Sequence, residues 1–108
     1  MRFLHLLGRL WRRPGPALSH LHFTLYTRRG CHLCEQAAKD LRARQGGYQF
    51  QFEEVDVDLD PELVSRYGDW VPVVMVNGKV RFRGGVNRVL LERLFRAESG
   101  RVRKEKPG

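Results

Sequence analysis

The apolar positions between residues 21 and 98 change period several times, and each change marks an element. His22 to Thr27 (His-Phe-Thr-Leu-Tyr-Thr) alternates, with Phe23 and Leu25 on one face, and predicts a strand. After Arg28-Arg29-Gly30 the spacing lengthens to four. Leu33, Ala37 and Leu41, with Cys34 and Ala38 beside them, predict a helix that ends at Gly46-Gly47. Glu35 with Lys39, and Asp40 with Arg44, add i,i+4 pairs to that helix. Phe50 to Leu59 predicts a second strand whose apolar phase is even at Phe50 and Phe52 but odd at Val55, Val57 and Leu59. Such a slip predicts a bulge near Glu53-Glu54, or a strand that starts only after them. Asp60 as N-cap and Pro61 at the first helical position open a short helix that closes near Gly68. Val73 to Val76 and Lys79 to Arg83 flank Asn77-Gly78, which supplies two positive-φ residues to a type I′ hairpin. Asn87 caps a last helix with Leu90, Leu91, Leu94 and Phe95 on its buried face, and Val86 before the cap meets Leu91 as a hydrophobic staple.

The resulting order is β-α-β-α-β-β-α. Two strand-helix-strand passages demand a parallel pair, and the hairpin adds an antiparallel edge. The expected fold is therefore α/β, a mixed four-stranded sheet between helices.

Charge separates the two ends from this middle. The 108 residues suit one domain, and the net charge is +8. Residues 1–20 carry +4, residues 99–108 carry +3, and residues 21–98 only +1. A nucleic-acid surface needs its basic residues clustered on the folded domain, so the near-neutral middle argues against that class of partner. The longest apolar run, Val71 to Val76, is far short of the ~18 residues a membrane span needs. Three segments follow: a basic amphipathic extension over 1–20, a domain over 21–98, and a basic, disordered tail over 99–108.

On a helical wheel Phe3, Leu4, Leu7, Leu10 and Trp11 share one arc and Arg2, Arg9, Arg12 and Arg13 lie opposite, before Pro14-Gly15-Pro16 stops the pattern. The uncharged stretch Phe3 to Gly8 is too short for a secretory signal. An acid-free leader of this kind fits a mitochondrial presequence or a helix in weak contact with a membrane surface. Read more plainly, it is an extension that docks on the domain or frays. The expected location is the reducing cytoplasm, with the mitochondrial matrix as the alternative.

Cys31-His32-Leu33-Cys34 follows a predicted strand and opens a predicted helix. At the first helical turn, free N–H groups and the helix dipole favour an anion, so a thiolate forms more readily at Cys31. Cys34, one turn in, is placed to attack a sulfur bonded to Cys31. Arg28 and Arg29 put positive charge nearby, or are solvated loop residues. His32 faces solvent or a substrate. Structural zinc needs four ligands, and with no second C-x-x-C the histidines His20, His22 and His32 offer no standard spacing. Haem attachment needs a histidine where Glu35 stands. Two inert cysteines above a core are the remaining reading.

Tyr26-Thr27-Arg28-Arg29-Gly30-Cys31-His32-Leu33-Cys34, followed by Glu35 and Ala37-Ala38, resembles the glutaredoxin-like branch of the thioredoxin-fold proteins. Asp69-Trp70-Val71-Pro72-Val73-Val74 resembles that family's Val-Pro segment, whose proline is cis. The resemblance covers about residues 21–97. It implies a thiol–disulfide oxidoreductase with Cys31 and Cys34 catalytic, acting on disulfide-containing proteins or small thiols, as a monomer, with no metal or prosthetic group. Arg28, Arg29, His32, Val71, Pro72, Gly84, Gly85 and Asn87 are the residues it assigns to substrate binding, and glutathione is the implied co-substrate. Two departures stand out. The chain has Gly84-Gly85-Val86-Asn87 where the family often carries Gly-Gly, a polar residue and an aspartate, and Cys-His-Leu-Cys where glutaredoxins often carry Cys-Pro-Tyr-Cys. The altered pocket residues and the two basic ends support an alternative, a thioredoxin-fold binding module whose thiols do not turn over.

Overall fold

The computed structural model of the chain describes residues 17–105. The amphipathic leader expected over residues 3–11 lies outside the described residues. The elements are β1 (His22–Thr27), α1 (His32–Tyr48), β2 (Gln51–Asp56), α2 (Pro61–Tyr67), β3 (Val73–Val76), β4 (Lys79–Arg83) and α3 (Arg88–Glu105), with 3-10 turns at Val57–Leu59 and Gly68–Trp70. The strands lie in the order β2-β1-β3-β4. β2 runs parallel to β1, while β3 is antiparallel to both β1 and β4. This is the mixed four-stranded sheet, and the element order, that the periodicities predict.

Alternation along β1 sorts its side chains between two layers. Phe23 and Leu25, opposite Val76 and Val74, face α1 and α3 in one core with Ala37, Ala38, Leu41, Leu91, Leu94 and Phe95. Phe95 is its hub, with ring centroids 4.3 Å from Tyr48, 5.1 Å from Phe50 and 5.5 Å from Phe23. Burying such a ring contributes roughly 2–3 kcal/mol. On the other face Tyr26 stacks on Tyr67 of α2 at 4.5 Å, and the Tyr67 hydroxyl lies 3.8 Å from Met75 Sδ. The sheet is therefore sandwiched, with α1 and α3 on one side and α2 on the other. Asn77 (φ 50°) and Gly78 (φ 82°) form the hairpin turn with both central residues at positive φ.

Several expectations need correction. α1 does not stop at Gly46-Gly47 but continues to Tyr48. The tyrosine ring is held on Phe95 and its hydroxyl donates to Glu92 Oε2 at 3.1 Å, while Gln49 takes the left-handed conformation (φ 57°) instead of a glycine. β2 has no bulge at Glu53-Glu54 and ends at Asp56, since it is an edge strand with largely exposed residues. The two apolar phases serve opposite faces of the sheet, with Phe52 packed on the core and Val55 beside Tyr26 on the other face, while Phe50 is buried before the strand, Val57 after it, and Leu59 is exposed. The sheet irregularity falls between Val74 and Met75. Leu90 is exposed rather than buried, because the inward stripe of α3 runs through Leu91, Leu94, Phe95 and Ser99.

The boundaries also move. From residue 99 to Glu105 the chain is the end of α3, not a disordered tail. Val102 continues the apolar stripe onto the core, and Arg101 pairs with Glu98 and Glu105 at helical spacings. At the other end, Leu18 is fully buried and its N–H donates to the Tyr48 carbonyl at 2.9 Å, so the packed unit begins before residue 21.

Candidate dithiol site

β1 delivers the chain to a tight turn at one end of the sheet. The Cys31 N–H closes on the Arg28 carbonyl at 3.4 Å, and Gly30 sits at φ 73°, a left-handed conformation that suits glycine. Cys31 is then the N-cap of α1. Its backbone is extended (φ −90°, ψ 104°), its Sγ accepts the Cys34 N–H at 3.1 Å, and its carbonyl accepts the Glu35 N–H at 3.1 Å. A sulfur thus fills the role a serine or aspartate oxygen usually plays at a helix start. Cys31 and Cys34 are joined as a disulfide, their Cα atoms 5.2 Å apart. They differ in access: Cys34 is 2% exposed, on the stripe that continues through Ala37, Ala38 and Leu41, whereas Cys31 is half-buried.

The residues between and before them divide. The His32 side chain is 94% exposed, with Nδ1 3.9 Å from Glu35 Oε2. Leu33 is also exposed, which places it off the buried face expected for it. Arg28 turns away to grip Asp58: Nε lies 3.2 Å from each carboxylate oxygen and Nη2 lies 2.7 Å from Oδ1. Its Nη1 donates to the Gly68 carbonyl at 3.3 Å. These hydrogen bonds hold the Asp58 carboxyl below the usual range and the Arg28 guanidinium above its own. Arg28 therefore ties the turn before Cys31 to the segments that follow β2 and α2. Arg29 is exposed and makes no ion pair among the described residues.

The second landmark comes to the same end of the sheet through strand register. Tyr26 pairs with Val73 in the antiparallel β1–β3 ladder, so the last residue of β1 lies opposite the entry to β3. That entry is Val71-Pro72, a cis peptide, with Pro72 buried and Val71 half-buried. Gly84 joins it: its N–H lies 2.9 Å from both the Trp70 and the Pro72 carbonyls, at φ 73°. Gly85 follows at φ 157°. Asn87 heads α3, where its Oδ1 accepts the Leu90 N–H at 3.1 Å, so its side chain serves as the cap the sequence predicts.

Sequence reasoning missed the partners of Arg28 and the exposed Trp70, over which Arg83 stacks at 5.8 Å. The acid run Asp56, Asp58, Asp60 was the available signal for the first. Gly68 carries no local cue, because its constraint is long-range: a Cβ there would lie 3.2 Å from Val64 Cγ1 and 3.3 Å from Arg28 Nη1.

The family model for the glutaredoxin-like domain (DUF836) matches residues 22–98, which include the dithiol, Val71-Pro72 and Gly84 to Asn87. The chain belongs to this glutaredoxin-like family. Among curated proteins it is 31% identical over 67 residues to the uncharacterized protein Rv0508 of Mycobacterium tuberculosis, spanning 57% of this chain and 69% of that one. Among solved structures it resembles protein XcR50 of X. campestris, with 34% identity over 69% of this chain and 96% of that one and a TM-score of 0.57. Protein Ne2328 of Nitrosomonas europaea gives 28% identity, coverage of 68% and 89%, and a TM-score of 0.59. A mutant thioredoxin of Halobacterium salinarum, 18% identical over 73% of this chain and 74% of its own with a TM-score of 0.57, shares the fold alone. A glutaredoxin-like member of the thioredoxin fold with a bonded C-x-x-C pair suits redox chemistry.

Proposed function

We propose that this glutaredoxin-like protein is a thiol–disulfide oxidoreductase that reduces protein or glutathione mixed disulfides through Cys31 and Cys34. The observation that carries the reading is the division of labour at the head of α1. The more accessible sulfur caps the helix and accepts a backbone N–H, while its partner is buried one turn away and within bonding reach. In the reduced protein the Cys31 thiolate attacks one sulfur of a substrate disulfide. A Cys31–substrate disulfide forms, and the other half leaves as a thiolate that takes up a proton. Cys34 then loses its proton and attacks Cys31 Sγ, expelling the bound half as a second thiolate. Two electrons have passed to the substrate, and the Cys31–Cys34 disulfide remains. Two equivalents of a small thiol reopen it. Glutathione is the proposed thiol, its carboxylates received by the N-terminal turn of α3 behind Asn87.

The test is trapping. Cys34→Ser is expected to accumulate a mixed disulfide with substrate, and Cys31→Ser to abolish turnover. Normal turnover in Cys31→Ser overturns the assignment. Equilibration across glutathione buffers is expected to show a reversible two-electron transition between about −280 and −180 mV. A pair that forms no disulfide at any buffer ratio would transfer the site to the binding-module reading.

A further inference from the structure

The dithiol occupies one end of the molecule, and the chain's positive charge collects at the other. Cys31 caps the start of α1 and Tyr48 is its last residue, and 17 residues make the helix about 25 Å long. At the Tyr48 end, two segments that are far apart in sequence meet. The Leu18 N–H donates to the Tyr48 carbonyl at 2.9 Å, and His20 Nε2 lies 3.1 Å from Glu98 Oε2 on α3. Arg101 pairs with the same carboxylate at 2.8 Å. Arg96 and Arg103 border the same cavity as Tyr48. The chain before residue 17 therefore joins the packed unit beside the last turns of α3.

Both segments are basic. Residues 1–20 carry +4 and residues 99–108 carry +3 of the total +8, and no acid precedes Glu35. The acids on this part of α3 are already matched, Glu98 by His20 and Arg101 and Glu105 by Arg101. Arg96, Arg103 and Lys104 are exposed and make no ion pair among the described residues.

The sequence before residue 17 adds apolar surface to this charge. At helical spacing it sets Phe3, Leu4, Leu7, Leu10 and Trp11 on one arc, opposite four arginines. That combination suits a lipid surface, where the arc enters the acyl boundary and the arginines meet anionic headgroups. A nucleic-acid backbone would match the arginines but leave five large apolar side chains in water. Pro14-Gly15-Pro16 and residue 17 span at most about 14 Å, so the arc is tethered close to the α3 end and both reach the same surface.

We propose that this pole docks the protein peripherally on an anionic bilayer. The apolar arc of residues 3–11 inserts at headgroup level, Arg96, Arg103 and Lys104 rest on the headgroups, and Cys31 is left at the opposite pole. Each basic residue held near such a surface strengthens binding about fivefold, an effect that fades within a Debye length.

Cosedimentation of the full-length protein with phosphatidylcholine vesicles, with and without phosphatidylserine, tests the proposal. Binding is expected only where phosphatidylserine is present, and it is expected to weaken about tenfold or more as salt rises. Leu7→Glu/Leu10→Glu is expected to abolish it. Arg103→Gln/Lys104→Gln is expected to weaken it about tenfold or more with little change in melting temperature, because both side chains are exposed. The chain has two tryptophans, so in Trp70→Phe the emission reports Trp11 alone, and it is expected to shift to shorter wavelength on the anionic vesicles only. Equal binding to phosphatidylcholine alone, an unmoved Trp11 emission, or binding that survives Leu7→Glu/Leu10→Glu overturns the proposal. Unchanged binding in Arg103→Gln/Lys104→Gln overturns it too, since residues 1–16 would then act without α3. Tighter binding to duplex RNA than to anionic vesicles at equal salt would make the pole a nucleic-acid surface instead. Cys31→Ser is expected to bind vesicles as the parent does, so the outcome is independent of the proposed thiol chemistry.

Discussion

Replacing Gly46 and Gly47 together by alanine is expected to stabilise the protein, and the sign of the effect reports on how α1 ends. Both glycines lie inside the helix, both are exposed, and neither is among the positive-φ residues. A Cβ at either position would meet nothing within 4 Å. Glycine in a helix interior costs about 0.8–1.0 kcal/mol relative to alanine, largely through the freedom it regains on unfolding. The last turn of a helix normally frays, which reduces that gain. Here Tyr48 anchors the turn on Phe95 and Glu92, and the Gln49 N–H closes on the Gln45 carbonyl at 2.7 Å. The pair of substitutions is therefore worth about 1–1.5 kcal/mol, a rise in melting temperature of about 4–12 °C for a domain of this size. Thermal and urea unfolding followed by circular dichroism, with the protein held oxidised throughout, measures it. A lower melting temperature would refute the reasoning. If these glycines formed a left-handed stop, each alanine would cost about 1–2 kcal/mol instead.

Two further outcomes test the contacts around the site and the end of α3. Gly68→Ala places a methyl 3.2 Å from Val64 Cγ1 and 3.3 Å from Arg28 Nη1, and is expected to cost about 1 kcal/mol in urea unfolding. The cost should shrink in an Arg28→Met background, and an equal loss in both backgrounds would remove Arg28 from the account. The Glu98 carboxyl is held below its usual range by the hydrogen bond from Arg101, with His20 adding to it against the effect of burial. A folded-state value below the unfolded one gives stability that is present above the unfolded pKa of about 4.3 and lost as pH falls through the lower folded value. Urea unfolding between pH 6 and 3 should therefore show a flatter acid limb in Arg101→Gln. An acid limb identical to that of the parent protein contradicts the pairing.

Most of the fold was readable because its elements are specified locally. Asn77-Gly78 dictates its turn, Asp60-Pro61 caps and starts α2, and Phe23 and Leu25 set the face of β1. What escaped is what tertiary contact decides. Gly46-Gly47 look like a helix stop until Tyr48 is seen to pack on Phe95 from another element. The slipped phase of β2 looks like a bulge until the strand is placed in the sheet, where Phe52 and Val55 serve opposite faces. The basic run after Ser99 looks like a solvated tail because its charges outnumber Val102. Yet that one valine and the pairs from Arg101 suffice to carry α3 onward. At the site, the thiol pair and Val71-Pro72 were readable as motifs, whereas the Arg28 clamp joins residues thirty and forty positions apart.

That clamp bears on how the proposed chemistry would be supported. Attack by Cys31 needs negative charge on its sulfur, and the adjacent arginines look like the source of stabilisation. Arg28, however, spends its guanidinium on Asp58 and the Gly68 carbonyl, so its charge is already matched by a carboxylate. A cation so engaged holds the turn in place and offers little net field to a neighbouring sulfur. The backbone is better suited. The Cys34 N–H already points at Cys31 Sγ from 3.1 Å, and a helix amide neither titrates nor swings away. Helix register then divides the two roles. Position 31 precedes the first turn and keeps access to solvent, while position 34 falls on the inward stripe with Ala37, Ala38 and Leu41. The asymmetry of access that the proposed mechanism needs between an attacking and a resolving thiol thus comes from the placement of the C-x-x-C pair on α1.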